Sequence, residues 1–180
     1  MTKITIVLLF YSAFFFVGCM FAYYKLPEDE QAVGNILQKI AKHLEIKYSM
    51  QAAGTNVGMP DGIVELLGLD FQINHILTKD EARKILIESG EFFLSTVNAD
   101  TAIRPYLKNY PFTYDNINIV LFMREPSGYN AYHPNIDTAS LDGDGLSYTT
   151  TDKSEPLKYK SDVTESYQDA VNALRSKQNL

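Results

Sequence analysis

A long uncharged, apolar run near the amino end limits the architectures open to this protein. No Asp, Glu, Lys or Arg occurs from Ile4 to Tyr24, where Ile, Val, Leu and Phe dominate. A helix of about 20 apolar residues crosses the ~30 Å hydrocarbon core of a membrane. A buried helix of a soluble domain usually keeps a polar stripe, whereas this run offers little beyond Thr5, Tyr11 and Ser12. We therefore expect residues 4–24 to hold the protein in a membrane.

Two kinds of export segment fit this run, and they differ in the fate of Cys19. The sequence Phe16-Val17-Gly18-Cys19, preceded by Lys3, resembles the lipobox of bacterial lipoprotein signal peptides. That resemblance implies that Cys19 is lipidated and becomes the first residue of the mature chain. The alternative is an uncleaved signal anchor with Tyr23 and Tyr24 at the membrane interface. A short tail ahead of a large domain keeps the amino end inside, so both alternatives place the domain on the non-cytoplasmic side of the cell membrane or envelope.

The length and composition of the whole chain fit one globular domain with a short appendage. Of the 180 residues, 46% are hydrophobic and 21% charged, so the chain can bury a core. The net charge of −6 disfavours a nucleic-acid partner, because phosphate binding needs clustered Lys and Arg. A single cysteine excludes an internal disulfide and a Cys-rich metal cage. We expect residues 1–25 to be the signal peptide or anchor and residues 26–180 a single exported domain without a cofactor.

Three segments combine helical spacing of apolar residues with a recognisable start. The first starts with a proline, which presets φ, followed by three acids that suit the positive end of the helix dipole. The second starts with a capping box of Thr78 and Glu81, and the third with Asp162 and Glu165. The predicted helices run from Pro27 to about Tyr48, from Thr78 to about Asn98, and from Asp162 through Leu174.

Alternating apolar and polar residues predict several strands between and after these helices. Gly54 and Gly58 favour a flexible turn, and Asp142-Gly143-Asp144-Gly145 favours a hairpin turn, since the further acids of a calcium loop are missing and no metal site is expected. Because no run of βαβ units occurs, we expect an α+β fold with a small, mainly antiparallel sheet and helices largely on one face. The predicted strands are Met50 to Ala53, Leu67 to Asn74, Ile117 to Met123, Ile136 to Leu141, Leu146 to Thr150 and Leu157 to Lys160.

Four short pieces of sequence stand out in the middle third of the chain: Glu81-Ala82-Arg83, Asn98-Ala99-Asp100, Ile103-Arg104-Pro105-Tyr106-Leu107 and Tyr110-Pro111-Phe112. Together they resemble a family of small, uncharacterised bacterial exported proteins. The resemblance implies a bacterial, membrane-associated origin and carries over no catalytic residue.

The segment from Arg104 to Tyr114 has the most unusual local composition. Prolines stiffen it, and tyrosine and arginine are common at binding hot spots. The alternative is that Leu107 and Phe112 fill the core while the tyrosine hydroxyls reach solvent or the backbone. The candidate binding residues are Arg104, Tyr106, Tyr110, Phe112 and Tyr114.

Two hypotheses for function follow from these features. The first is a noncatalytic, membrane-anchored envelope protein that binds another protein or an envelope component. The second is a small envelope hydrolase that uses His133 or His75 with neighbouring Asp or Ser residues. An enzyme requires a histidine and acids converging in a pocket, whereas a binding module requires an exposed patch or groove.

Overall fold

The computed structural model describes residues 25–143 and 145–178, which form three helices and six strands. The predicted membrane segment 4–24 and the lipidation of Cys19 lie outside the described residues. None of the helices in the described part of the chain has the length and hydropathy that a membrane span requires. The elements are α1 (Glu28–Tyr48), β1 (Gln51–Gly58), β2 (Leu66–Ile73), α2 (Lys79–Ala99), β3 (Ile117–Met123), β4 (Thr138–Asp142), β5 (Gly145–Asp152), β6 (Glu155–Ser166) and α3 (Tyr167–Gln178).

The six strands form one sheet whose spatial order is the order of the chain, β1-β2-β3-β4-β5-β6. Strands β2 and β3 are parallel, because α2 carries the chain back between them. All other neighbouring strands are antiparallel. The prediction of an α+β fold with a mainly antiparallel sheet is confirmed, although the single parallel pair was not foreseen.

The helices lie against one face of the sheet, as expected. Helix α1 contacts β1 and β2, α2 contacts β3 to β5, and α3 contacts β5 and β6. Alternate residues of the central strands point into this layer and are almost fully buried, as Phe71 and Ile119 illustrate. The opposite face carries mostly polar side chains, among them Asp70, Gln72 and Asn118.

The first two helices begin and end where the sequence predicts. Helix α1 follows Pro27 directly and ends at Tyr48, after which Ser49 adopts the left-handed conformation with φ 53°. At the start of α2 the Glu81 backbone N–H donates to the Thr78 hydroxyl over 3.3 Å, and the Thr78 N–H donates to Glu81 Oε2 over 2.8 Å. This reciprocal pair satisfies two helix-end donors and confirms the capping box.

Two predictions were wrong at the edges of the sheet. Gly54 and Gly58 lie within β1 rather than in a flexible turn. Asp162 and Glu165 lie in β6, which extends from Glu155 to Ser166, rather than at the start of the last helix. The start of α3 is capped by Ser166, whose hydroxyl accepts a hydrogen bond from the Asp169 N–H over 3.1 Å.

Glu165 joins β6 to α2 through a largely buried charge network. The Arg83 guanidinium, in a residue that is 7% exposed, donates from Nε and Nη2 to the two Glu165 oxygens over 2.8 and 2.9 Å. The Tyr148 hydroxyl donates to Glu165 Oε1 over 2.6 Å. Burial alone would raise the pKa of Glu165, but the hydrogen bonds from Arg83 and Tyr148 and the Arg83 charge hold that pKa below its ordinary value.

Candidate binding groove

The candidate segment from Arg104 to Tyr114 divides into core residues and surface residues. Phe112 is 2% exposed and belongs to the core, so its ring has no surface to offer a partner. Tyr106 and Tyr114 are half-buried against the core. The Tyr114 hydroxyl donates to the Tyr167 hydroxyl over 2.6 Å, and the two rings lie 4.1 Å apart, which ties this segment to α3.

Arg104 and Tyr110 are the exposed members of the segment, and the structure brings them together. The Arg104 guanidinium lies over the Tyr110 ring at 4.5 Å. Both side chains donate to the carbonyl oxygen of Asn98, over 3.2 and 3.1 Å. Because Asn98 is in the last turn of α2, this pair satisfies a carbonyl that the helix itself leaves without a donor. The segment therefore closes the end of α2, with a modest exposed surface at Tyr110.

The two candidate histidines lie in different surroundings. His75 is exposed just after β2. His133 is exposed in the loop before β4, with Nδ1 at 3.3 Å from the Thr150 hydroxyl, which in turn lies 2.8 Å from the Ser161 hydroxyl. Within residues 25–143 and 145–178 neither histidine forms an ion pair with a carboxylate, and no group of three or more His, Cys, Asp or Glu could hold a metal ion.

A groove between α1 and the edge strand β1 forms a cavity of about 580 Å³ in the described part of the protein. We call it the α1–β1 groove. Its lining is apolar except for Glu30, Gln38 and Thr55. The other lining residues are Val33, Gly34, Leu37, Ala41, Ala52, Ala53, Gly54, Val57, Met59 and Leu69.

Small residues create the width of this groove. On α1, Val33, Leu37 and Ala41 are spaced four apart and therefore form one stripe along the helix. Gly34 lies beside that stripe, and a Cβ added there would meet nothing within 4 Å. On β1 the register shifts between Ala52 and Gly54, which leaves Ala53 as a bulge. A larger side chain at Gly34 would extend into this open space.

Within the described residues, the strand that forms one wall of the groove pairs with another strand on one side only. At its start the Ala52 N–H already donates to Glu45 Oε1 over 2.8 Å. Strand β1 is the first of the six and pairs only with β2. Its residues are exposed or half-exposed along the whole length, and Val57 is 39% exposed. An edge strand presents a row of unpaired N–H and C=O groups that another chain can pair with.

One end of the groove is acidic. The first turn of α1 holds Glu28, Asp29 and Glu30, and Asp61 lies in the turn after β1. The Asp29 carboxylate approaches that turn closely, with Oδ2 only 3.0 Å from where a Cβ on Gly62 would be. None of these four acids forms an ion pair within the described residues.

Little in the sequence indicates this groove. The stripe on α1 has the same spacing as residues that pack fully into a core, and the glycines and alanines of β1 are typical of a turn as much as of a strand. The sequence signal that could have indicated strand β1 is weak. It is the period-two spacing of Thr55 and Val57, which is confined to the few residues between Gly54 and Gly58.

Comparisons with known proteins identify no relative. No family model, curated protein or solved structure matches this chain.

Proposed function

We propose that this chain is a noncatalytic, membrane-anchored bacterial envelope protein that binds an extended segment of another polypeptide in the α1–β1 groove. The observation that carries the proposal is the position of an open apolar groove directly beside a free sheet edge. Proteins that bind peptides by strand addition use the same two features: the edge supplies main-chain hydrogen bonds, and the groove accepts alternate side chains.

The amino-terminal run supports the membrane part of the proposal. Residues 4–24 have the length and composition of a spanning or lipoprotein segment, and only Lys25, Leu26 and Pro27 separate that run from α1. The domain is held on the non-cytoplasmic side, close to the bilayer. The surroundings of His133 and His75 give the hydrolase hypothesis no support.

Photo-crosslinking in the native membrane tests the proposed binding site. A photoreactive amino acid replaces Thr55, an exposed residue that lines the groove, in the full-length chain. We expect a discrete adduct with another polypeptide at this position. The same probe at Asp162, exposed on the opposite edge strand, should give no such adduct.

A pair of leucine substitutions supplies the matched control. Gly34→Leu projects an apolar side chain over the groove, whereas Asn35→Leu adds the same side chain at an exposed helix position that does not line it. We expect Gly34→Leu to reduce the Thr55 adduct and Asn35→Leu to leave it unchanged. An adduct that survives Gly34→Leu, or no adduct at Thr55, would contradict the proposal.

A further inference from the structure

We infer that the segment bound in the α1–β1 groove alternates apolar and polar side chains and carries a lysine or arginine at its amino-terminal end, where it meets Glu30. This inference rests on the proposed function, because it specifies the partner of the same site. Three observations carry it: the direction of β1, the difference between the two faces of the sheet at the β1 edge, and the charges at one end of the groove.

The direction of β1 fixes where the acidic end lies. Only Ser49 and Met50 separate α1 from β1, so β1 runs back along the helix. The carboxyl end of β1 therefore lies beside the first turn of α1, as the approach of Asp29 to Gly62 also indicates. A strand added antiparallel to β1 places its own first residues at this end.

The two faces of the sheet edge differ, and an added strand would meet both. Thr55 and Val57 pair with Leu69 and Leu67, so they lie on the face that the helices cover. Asn56 lies on the open face, where the Asp70 carboxylate also lies, next to Gly54. Since successive side chains of a strand point to opposite faces, the added strand would place one apolar set into the groove and one polar set over the open face.

The charges at the acidic end favour a cation on the partner. Glu30 is the single charged residue among those that line the groove, and Glu28, Asp29 and Asp61 lie nearby. The positive end of a helix dipole offsets about half a unit of negative charge. The four carboxylates together carry more negative charge than that. A lysine or arginine would find a complementary potential there, and a carboxylate would be repelled.

A second copy of this chain does not satisfy these requirements through β1 itself. The strand reads Gln-Ala-Ala-Gly-Thr-Asn-Val-Gly and contains no lysine or arginine. Pairing two β1 edges would place small and polar residues in each groove and would leave the acids at both ends without a cation. The β1 edge of a second copy is therefore not the partner.

Two synthetic peptides test the inference with the full-length protein in nonionic detergent. Both are fluorescein-labelled octapeptides that begin with Lys or with Glu and continue with Thr-Val-Thr-Val-Thr-Val-Thr, so that the first side chain lies on the same face of the strand as the valines, the face toward Glu30. In fluorescence anisotropy we expect the Lys peptide to bind about tenfold more tightly than the Glu peptide, with the difference shrinking at high salt. Gly34→Leu should weaken binding of the Lys peptide.

Charge reversal supplies the control. Glu30→Lys should abolish the preference for the Lys peptide, because it replaces the carboxylate that lines the groove with an ammonium group. Asp162→Lys, an equal change at an exposed site on the opposite sheet edge, should leave the preference unchanged. Equal binding of the two peptides that Gly34→Leu still weakens would overturn the inferred charge and retain the groove as a binding site. Binding that Gly34→Leu does not affect, or no binding of either peptide, would overturn the inference; the Thr55 adduct then decides separately whether the proposed function stands.

Discussion

Arg83 and Glu165 show how one pair of side chains joins elements that are far apart in the chain. Arg83 projects from α2 and Glu165 from β6, and both carboxylate oxygens accept hydrogen bonds from the guanidinium. Tyr148 on β5 donates to the same carboxylate. Removing the Glu165 charge leaves the buried Arg83 guanidinium with the half-exposed Asp80 carboxylate as its remaining partner, which is more costly than losing an exposed pair.

Replacing the carboxylate should therefore cost stability in a pH-dependent way. We expect Glu165→Gln to lower the free energy of unfolding by about 3 kcal/mol at pH 7, measured by urea denaturation. Because the pKa of Glu165 in the folded protein lies below its ordinary value of 4.5, the contribution of its charge is complete above pH 4.5 and is lost as the pH falls through the folded pKa. The difference between the parent and the variant should shrink at pH 3.

An exposed ion pair provides the comparison for this prediction. Lys158 and Glu155 lie 2.8 Å apart, but their side chains are 70% and 57% exposed. Water and salt screen such a pair, so Glu155→Gln should change the free energy of unfolding by no more than about 0.5 kcal/mol. An equal loss for Glu165→Gln at pH 7 and pH 3 would mean that its charge does not stabilise the fold.

At the scale of elements, two glycines within helices have opposite surroundings, one open and one tightly packed. Gly34 on α1 faces open space beside the α1–β1 groove. Gly90 on α2 faces the sheet, where an added Cβ would lie 2.6 Å from Leu141 Cδ2 and 3.1 Å from Tyr114 Cε1. Glycine at the first position leaves the groove wide, and glycine at the second lets α2 approach β4.

Alanine substitutions at these glycines should shift stability in opposite directions. Gly34→Ala should raise the free energy of unfolding by about 1 kcal/mol, because alanine restricts the unfolded chain and has no steric conflict here. Gly90→Ala brings the same gain in helix propensity, but the added methyl group overpacks a site where the Leu141 side chain is fully buried. We therefore expect a net decrease of about 1–2 kcal/mol in the free energy of unfolding. Thermal denaturation of both variants checks this, and a loss for Gly34→Ala would show that its surroundings are tighter than described.

Elements that carry their own start signals could be predicted from the sequence. Pro27 with the acids after it, and Thr78 with Glu81, fixed the starts of α1 and α2, because these caps act within one turn of the chain. The strict alternation of β2 identified it as a strand with one buried face. In each case the deciding interactions are local in sequence or repeat with the period of the element.

Elements decided by distant partners could not be predicted in the same way. Asp162 and Glu165 have the spacing of a helix start, but the partners of Glu165 are Arg83 on α2 and Tyr148 on β5. Strand β1 shows no clear alternation, because its residues are exposed or half-exposed on both faces. The groove depends on the absence of side chains at Gly34 and on β1, and such an absence leaves no periodic pattern.

At the scale of the whole molecule, the proposed anchor determines where the domain can be. Helix α1 begins at Glu28, so no flexible tether separates it from the apolar run that ends at Tyr24. We expect the full-length chain to pellet with membranes, and a chain that begins at Leu26 to be soluble and folded. Fractionation followed by circular dichroism checks both, and full-length protein in the soluble fraction without detergent would contradict the anchor.

The substitution Cys19→Ser distinguishes the two kinds of anchor. In a lipoprotein the change removes the lipidation site, so metabolic labelling with a fatty acid should be lost. An uncleaved signal anchor should remain membrane-bound and show no difference in labelling.

The residues that line the α1–β1 groove all fall between Glu30 and Leu69. During synthesis, which proceeds from the amino end, each of them is added before the first residue of α2. Strands β1 and β2 are also neighbours in the chain, so they can pair without waiting for the long crossover to β3. The proposed binding surface thus depends only on the first half of the domain to be synthesised, and its two strands can form it before β3 to β6 join the sheet.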